Sequence, residues 1–299
     1  MQTIDSKDIS IVVQGPVIGK RTDPEKLQLT KICVESLRAI FPHSEIILST
    51  WSEVSSQWIK YDKIVVNEEP PPIDRVITSR KDINYNGNRL ICTTANGIRA
   101  SSRDYVLKVR SDVMFTNSLF LESLSRYPAR DSEYQVSKSR IVIPELLTSV
   151  NLFSINDWVS FGTHRDMLRL WNIPYMQKFV SISDELFMNN EQYVCYSFLK
   201  SHPLFSLQHQ EVIDRLYANN FIILNSTSFS FKRLKPFPYS ITRYFRWTTH
   251  YDWKCLYKTH SLHRKVVNYR SLIRPTVLAM GEAKSIIQNV FKPKQNEIA

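Results

Sequence analysis

A chain of 299 residues with 43% hydrophobic and 22% charged side chains can bury the core of one large α/β domain and is too apolar for a disordered protein. No segment approaches the ~20 apolar residues that span a bilayer, and the first ten residues lack the pattern of a signal peptide. The four cysteines are widely spaced without a CxxC pair, so we expect reduced thiols in a cytoplasmic protein.

The net charge of +11 is concentrated near the end of the chain, because fourteen basic and only three acidic residues follow Phe231. Such an excess predicts an anionic partner: a phosphate-bearing substrate, an anionic membrane surface or nucleic acid. Composition also changes here towards Lys, Arg, Tyr and Trp. We therefore predict a domain over residues 1–228 and a basic, aromatic-rich extension over residues 229–299.

The first third of the chain alternates between strand and helix patterns. Residues 9–16 form a β-branched run stopped by Gly-Pro, which is typical of a buried parallel strand that ends in a loop. Asp23-Pro24 is a helix start, and apolar residues recur at helical spacing as far as Phe41. With further strands at 45–51 and 63–67, this order predicts a doubly wound α/β sheet.

A helical segment at 86–102 leads into a fourth strand, which begins at Tyr105 and ends in Arg110-Ser111-Asp112. The later pattern predicts strands at 141–144, 157–162 and 221–224, and helices at 165–171, 191–200, 211–218 and 272–290. The predicted fold class is a mixed, mostly parallel sheet flanked by helices.

Ligands of open α/β sheets bind beyond the carboxyl ends of the strands, which draws attention to Gln14, Gly15 and Pro16 after the first strand. The glycine allows a ligand to approach the backbone closely, and Gln14 can recognise the edge of a nucleotide base. A simple strand-ending turn is the alternative.

Asp112 follows the fourth strand, where a carboxylate is well placed to hold a divalent cation between two phosphates. Side-chain alternation puts Lys108, Arg110 and Asp112 on one side of the strand, so the two cations can themselves contact a diphosphate. The alternative is a solvated strand end with a local ion pair.

The sequence resembles the WavE-type proteins of bacterial lipopolysaccharide (O-antigen) and capsule synthesis. The resemblance covers about residues 9–193 and depends on the order of several motifs rather than on any one of them: Ile11-Val12-Val13-Gln14-Gly15-Pro16, Ser49-Thr50-Trp51, Asn88-Arg89, Thr93-Thr94-Ala95-Asn96-Gly97, Tyr105 to Asp112, Phe161-Gly162 and Glu191-Gln192-Tyr193. It implies a GT-A-like (Rossmann-like) fold and transfer of a sugar from a nucleotide-diphosphate donor to a hydroxyl of a surface-polysaccharide intermediate. Of the Asp-x-Asp motif of GT-A enzymes, Arg110-Ser111-Asp112 keeps only the second acid.

The resemblance also implies contacts with the nucleotide sugar. Trp51 would form a stacking wall beside the nucleotide, and Arg80 and Arg89 would contact phosphate. Most arginines, however, are solvated surface residues.

Sugar transfer with inversion needs a carboxylate that accepts the proton of the acceptor hydroxyl. Glu191 opens a predicted helix and is the expected base, although Glu is also simply favourable in a first helical turn. Asp157 is the competitor, followed by Asp184 and Glu185.

A divalent cation, Mn²⁺ or Mg²⁺, would use Asp112 and a late histidine, with His209 as the predicted ligand and His250 as a second choice. No histidine falls in a zinc-binding motif, so a surface or core histidine is the favoured interpretation of each.

Aromatic and basic residues interleave from Tyr239 to Trp253, a composition that favours peripheral docking to the inner face of the cytoplasmic membrane. Packing on the domain and nucleic-acid binding remain alternatives, and nucleic acid is the less favoured partner. Two other functions stay open: a sugar-phosphate transferase and a non-catalytic nucleic-acid-binding protein.

Overall fold

The computed structural model describes residues 4–18, 28–51, 53, 57–73, 86–150, 153–177, 181–183, 186–187, 189–234 and 247–269. The strands are β1 (Ile9–Gln14), β2 (Glu45–Thr50), β3 (Lys63–Val66), β4 (Tyr105–Arg110), β5 (Val113–Phe115), β6 (Ile141–Pro144), β7 (Val159–Thr163), β8 (Ser181–Ser183), β9 (Leu186–Phe187), β10 (Phe221–Leu224) and β11 (Phe231–Arg233). The α-helices are α1 (Leu29–Ile40), α2 (Gly87–Arg99), α3 (Ser123–Arg126), α4 (His164–Trp171), α5 (Asn190–Leu199), α6 (Gln210–Asn220) and α7 (His250–His260).

Seven strands form one sheet in the order β10-β6-β7-β4-β1-β2-β3. Every pairing is parallel except the two made by β7, so this strand alone runs against the others. All six residues of β1 are buried, as expected of a central strand that is covered on both faces. Two short antiparallel pairs, β5 with β11 and β8 with β9, lie outside this sheet.

The helix α2 approaches the sheet closely because Gly97 has no side chain. A Cβ at this position would collide with Val12 of β1 and lie 3.1 Å from the Cβ of Ser49 on β2. The helix runs antiparallel to the strands it connects, so its N-terminus lies at the carboxyl edge of the sheet. This arrangement brings the first turn of α2 to the edge where parallel α/β sheets bind ligands.

The predicted mixed, mostly parallel α/β sheet flanked by helices is confirmed. The strands predicted at 141–144 and 221–224 have the predicted bounds, and the fourth strand begins at Tyr105 as predicted and ends at Arg110, with Ser111 and Asp112 just beyond it. The first helix is described from Leu29, since its predicted start at Asp23 lies outside the described residues. The helix predicted at 272–290 also lies outside them.

The described parts of the basic extension pack on the domain. Phe229 is buried, β11 pairs with β5, and α7 packs against α6 and β10 with Trp253 fully buried. The helix α7 lies outside the helices predicted from the sequence, although Thr249 and Asp252 form its capping box, in which each side chain accepts from the other residue's backbone N–H. Among the described helices, none has both the length and the hydropathy of a membrane span.

Candidate active site

The loop after β1 has a fixed backbone geometry. Gly15 adopts a φ of +117°, a conformation that L side chains rarely take, and its N–H donates to the carbonyl of Ser49 at 3.1 Å. Gln14 is buried, and its side-chain oxygen accepts a hydrogen bond from Thr93 Oγ1 of α2 at 3.0 Å. Ser111 fastens this loop to the end of β4, because its N–H donates to the Gln14 carbonyl and its hydroxyl to the Pro16 carbonyl.

Arg110 and Asp112 form a two-point ion pair at the end of β4. Arg110 Nε donates to Asp112 Oδ1 at 3.1 Å, and Nη2 donates to Oδ2 at 3.0 Å. The Asp112 side chain is 2% exposed, whereas that of Arg110 is 26% exposed, so the guanidinium is the accessible member of the pair. The Arg110 guanidinium also lies 5.7 Å from the ring centroid of Trp158. A planar cation held in this way presents a fixed set of donors to an anion.

Lys108 lies beneath this pair rather than at the surface. Its side chain is fully buried, its ammonium donates to the backbone carbonyl of Asp157, and it lies 4.8 Å from the ring centroid of Trp171 on α4. The alternation of β4 therefore brings Lys108 and Arg110 to one cluster, but Lys108 lies two residues further from the strand end and is covered by α4. We accordingly correct its expected role: it does not reach the opening of the site.

The two predicted base candidates lie in the same cluster. Asp157 is 7% exposed, and its Oδ1 is buried without a hydrogen-bond partner among the described residues. Glu191 is partly buried in the first turn of α5, which begins with a capping box of Asn189 and Gln192. Capping fixes the helix start, and the helix start fixes the position of Glu191.

Burial raises the pKa of Glu191 to about 7, and the nearby Asp157 carboxylate acts in the same direction. Arg110 and Lys108 oppose this shift. Burial also lowers the pKa of Lys108 to about 7, with Asp157 opposing. The charge cluster consists of Lys108, Arg110, Asp112, Asp157 and Glu191. Burial and the Asp157 carboxylate together explain why the pKa of Glu191 lies above that of an ordinary carboxyl group.

Trp51 and Arg89 come together at the same edge of the sheet. Trp51 follows β2, Arg89 lies in the first turn of α2, and the guanidinium is 5.7 Å from the indole centroid. Arg89 Nε also donates to Glu69 Oε1 at 2.5 Å. The arginine is therefore neutralised in this structure, and a phosphate ligand would compete with Glu69 for it.

The N-termini of α2 and α5 meet beside the cluster, which the sequence analysis did not predict. A Cβ at Gly87 would lie 2.5 Å from Asn190 Oδ1 and 3.2 Å from Met176 Sδ, so the missing side chain allows this close approach. Asn88 fixes the contact, because its side chain donates to the carbonyls of Pro71 and Met176 and accepts from Met176 N–H at 2.7 Å. The Asn88-Arg89 motif could have indicated a helix start, but the meeting of two helix starts requires the three-dimensional fold.

The described residues do not fit a protein-built metal site. They contain no group of three or more His, Cys, Asp or Glu side chains that could hold an ion, and both carboxylate oxygens of Asp112 accept from Arg110. His209 is exposed at the start of α6, with Nδ1 3.0 Å from Ser206 Oγ. His250 uses both ring nitrogens, with Ile223 O and the Tyr127 hydroxyl. Neither histidine has Asp112 among these partners, so the described residues do not bring the predicted cation ligands Asp112 and His209 together.

Three of the predicted site residues lie outside the described residues. These are Arg80, expected at phosphate, and the secondary base candidates Asp184 and Glu185. The aromatic and basic residues from Tyr239 to Arg246 lie outside them as well.

A mostly parallel α/β sheet with a buried acid–base cluster at its carboxyl edge defines the class of this protein as an open, mixed α/β fold with a candidate active site at that edge. A family model described as WavE lipopolysaccharide synthesis matches residues 9–280, and the chain belongs to this family. The predicted family is thereby confirmed, and it places the protein in the synthesis of a surface polysaccharide. The comparison with curated proteins finds no match.

Several solved structures resemble this chain at low identity. A 4-diphosphocytidyl-2C-methyl-D-erythritol synthase from Anaerococcus prevotii is 12% identical over 87% of this chain and 100% of its own, with a TM-score of 0.37. TarS 1-349 from S. aureus is 10% identical over 97% and 76%, with a TM-score of 0.33. A cytidylyltransferase from Leptospira borgpetersenii is 11% identical over 98% and 99%, with a TM-score of 0.37. Likeness at this level says nothing about the reaction.

Proposed function

We propose that this protein transfers a sugar from a nucleotide-diphosphate donor to a hydroxyl of a lipopolysaccharide or capsular polysaccharide intermediate. The observation that carries the proposal is the charge cluster at the end of β4. It combines Arg110, a partly exposed cation held by Asp112, with Glu191, a carboxyl group whose pKa of about 7 suits proton transfer near neutral pH. Membership of a lipopolysaccharide synthesis family supports the same reaction class.

In the proposed mechanism Arg110 binds the diphosphate of the donor. Its guanidinium is the exposed member of the pair with Asp112, and Asp112 keeps it oriented. When the bond between the sugar carbon and the diphosphate oxygen breaks, the electron pair leaves with the nucleoside diphosphate. Arg110 then stabilises the negative charge that develops on this leaving group.

Glu191 is the proposed general base. It accepts the proton of the acceptor hydroxyl as the new carbon–oxygen bond forms, with inversion at the sugar carbon. Asp157 acts through Glu191, because its negative charge helps to raise the pKa of Glu191. Lys108 in turn holds the Asp157 backbone by donating to its carbonyl. Trp51 and Arg89 are proposed as a wall for the nucleotide, with the loop of Gln14, Gly15 and Pro16 beneath it.

The donor site can be tested by thermal shift with UDP, CDP, GDP and CMP, each with and without Mn²⁺. We expect at least one nucleoside diphosphate to raise the melting temperature in EDTA, because Arg110 supplies positive charge without a cation. A shift that appears only with Mn²⁺ would contradict this expectation and show that a cation replaces Arg110 on Asp112. No shift with any nucleotide, combined with salt-sensitive oligonucleotide binding, would favour the nucleic-acid alternative.

The released nucleotide separates the two enzyme alternatives. A glycosyltransferase releases the nucleoside diphosphate, whereas a sugar-phosphate transferase releases the monophosphate. Chromatography of the reaction products identifies which forms. Peripheral attachment to the inner face of the cytoplasmic membrane is part of the proposal and follows from the basic charge of residues 232–299.

A further inference from the structure

A second polar site lies at the opposite edge of the sheet. A cleft of about 600 Å³ is lined by three segments: residues 101–104 before β4, residues 138–139 before β6 and residues 163–165 at the start of α4. These segments all lie at the amino edge of the parallel strands, because β7 runs antiparallel and ends there. Since β4 has six residues, the cleft is roughly 20 Å from the cluster at the end of that strand.

The segment before β4 is held by a buried acid. Glu45 accepts from Ser102 N–H at 2.9 Å and from the Ser102 hydroxyl at 3.0 Å, and it pairs with Lys63 at 2.6 Å. Burial opposes ionisation, but hydrogen bonds from Lys63, Ser10 and Ser102 lower the pKa of Glu45 to about 2. Glu45 thus stays charged and fixes the backbone from which Arg103 projects.

The segment before β6 is held in the same way by Asp166 of α4. This carboxylate is 1% exposed and accepts from the N–H groups of Lys138 and Ser139 at 2.8 and 2.7 Å and from the Thr163 hydroxyl at 2.8 Å. Glu45 and Asp166 therefore bind backbone and hydroxyl groups of the segments that line the cleft. Neither acid forms an ion pair with a cation that lines the cleft.

Arg103, Lys138 and Arg165 make no ion pair with any residue in the described part of the chain, while Asp104 is the single acid that lines the cleft. Three cations around one cavity repel one another, and an anion would relieve that repulsion. Two segments that are hydrogen-bonded to buried acids and a helix start carry these exposed side chains, so little backbone order remains to be gained on binding.

The concentration of cations here does not follow from the basic character of the whole chain. All of the excess charge of +11 comes from residues 232–299, so residues 1–231 are neutral overall. The cleft is built entirely from that neutral part. Its positive charge is thus a local property of the fold.

We propose that this cleft binds a phosphate group of a substrate or headgroup, with Arg103, Lys138 and Arg165 as its ligands. Arginine matches the geometry of phosphate oxygens through paired N–H donors, and lysine adds a point charge. The cleft is large enough for a phosphate together with part of the group that carries it. This site is independent of the proposed transfer reaction, because it shares no residue with the cluster at the carboxyl edge.

The test compares a variant with Arg103→Ala, Lys138→Ala and Arg165→Ala against a charge-matched control with Lys7→Ala, Lys60→Ala and Lys200→Ala, all three outside the basic segment 232–299. The control lysines are exposed and form no ion pair in the described part of the chain. Titration calorimetry with inorganic phosphate and with pyrophosphate should show at least a tenfold loss of affinity in the cleft variant and less than a threefold loss in the control. Circular dichroism checks that both variants remain folded.

Equal losses in the two triple variants would overturn the proposal, because they would show a general effect of net charge. If the cleft bound the dicarboxylate malonate as tightly as it binds phosphate, the assignment of a phosphate group as its ligand would be overturned. Binding to vesicles that contain phosphatidic acid, compared with binding to vesicles of phosphatidylcholine alone, shows which kind of molecule carries the phosphate. Cleft-dependent binding to the acidic vesicles assigns a lipid headgroup, and binding to soluble phosphate alone assigns a free phosphate ester. Unchanged thermal shifts with nucleoside diphosphates distinguish this site from the donor site.

Discussion

The two edges of the central sheet use charge in opposite ways. At the carboxyl edge, five charged groups lie close together, most of them are buried, and the pKa values of Lys108 and Glu191 are shifted towards 7. At the amino edge, the buried acids Glu45 and Asp166 bind the backbone, and cations project unpaired into a cleft.

This difference in charge arrangement suits the two edges of the sheet to different functions. Coupled, buried groups have shifted pKa values and suit proton transfer, whereas unpaired cations on a rigid frame suit the binding of an anion. Changes at the carboxyl edge should therefore alter turnover and its pH dependence. Changes at the amino edge should alter phosphate binding alone.

The largest expected effect follows replacement of Glu191. In Glu191→Gln the general base is lost while size and helix position are kept, so turnover should fall by about 10²- to 10⁴-fold with nucleotide affinity unchanged. Steady-state assays and calorimetry with the nucleoside diphosphate measure the two quantities. Glu211→Gln is the matched control, because Glu211 occupies the first turn of α6 as Glu191 does in α5, yet is exposed. Full turnover in Glu191→Gln would exclude the assigned base.

The same variant tests the pKa of Glu191 without an activity assay. Its folded-state pKa of about 7 lies above the ordinary value of 4.5, so the wild-type protein should lose stability as pH rises between these values. In Glu191→Gln that loss should be absent. Parallel stability curves for the two proteins in urea would show that Glu191 is not shifted.

The next largest effect is expected at Asp112. Asp112→Asn removes one charge of the pair and leaves Arg110 without its two-point partner, so affinity for the nucleoside diphosphate should fall about 10- to 100-fold. Calorimetry measures the loss. The control is Asp62→Asn, which breaks the surface pair of Asp62 with Arg38 and should leave nucleotide affinity unchanged. A folded Asp112→Asn protein with wild-type affinity would reject the donor role.

A smaller effect is expected from Asp157→Asn. The Asp157 carboxylate raises the pKa of Glu191, so its neutralisation should lower that pKa and extend activity to lower pH by about one unit. Turnover measured between pH 5 and pH 9 tests this shift. If Asp157 is itself the base, turnover falls at every pH instead, and the assignments of the two acids are exchanged.

Much of the fold follows from sequence periodicity. The strand before Gly15 and the strand before Ser111 are short β-branched runs, and their strand ends contain most of the candidate site. Side-chain alternation also places Lys108 and Arg110 on one side of β4. Alternation does not show how deeply a side chain is buried. Burial is what distinguishes Lys108, which is covered by Trp171, from the partly exposed Arg110.

Long-range contacts account for the rest. The pKa of Glu191 depends on Asp157, 34 positions away, and the meeting of two helix starts at Gly87 and Asn190 depends on chain folding over a hundred residues. The helix α7 is different, because its capping box from Thr249 to Asp252 is a local signal that sequence analysis can use. The aromatic content there left both membrane docking and packing on the domain open, and Trp253 packs in the core.

The smallest expected effect concerns the backbone that supports the carboxyl edge. In Gly15→Ala, a φ of +117° becomes strained and the new Cβ lies 3.3 Å from Ser111 Oγ, so the free energy of unfolding should fall by about 1–3 kcal/mol. Ser111 is next to Arg110 and Asp112, and its displacement should weaken nucleotide binding less than Asp112→Asn does. Gly162→Ala is the control, since a Cβ there makes only ordinary contacts with Met167 and Ile141 and should stay within about 1 kcal/mol of wild type. Urea unfolding and calorimetry measure both quantities. Equal stability of the two alanine variants would show that the loop after β1 relaxes freely, and a loop that relaxes freely cannot hold the ion pair at the end of β4 in a fixed orientation.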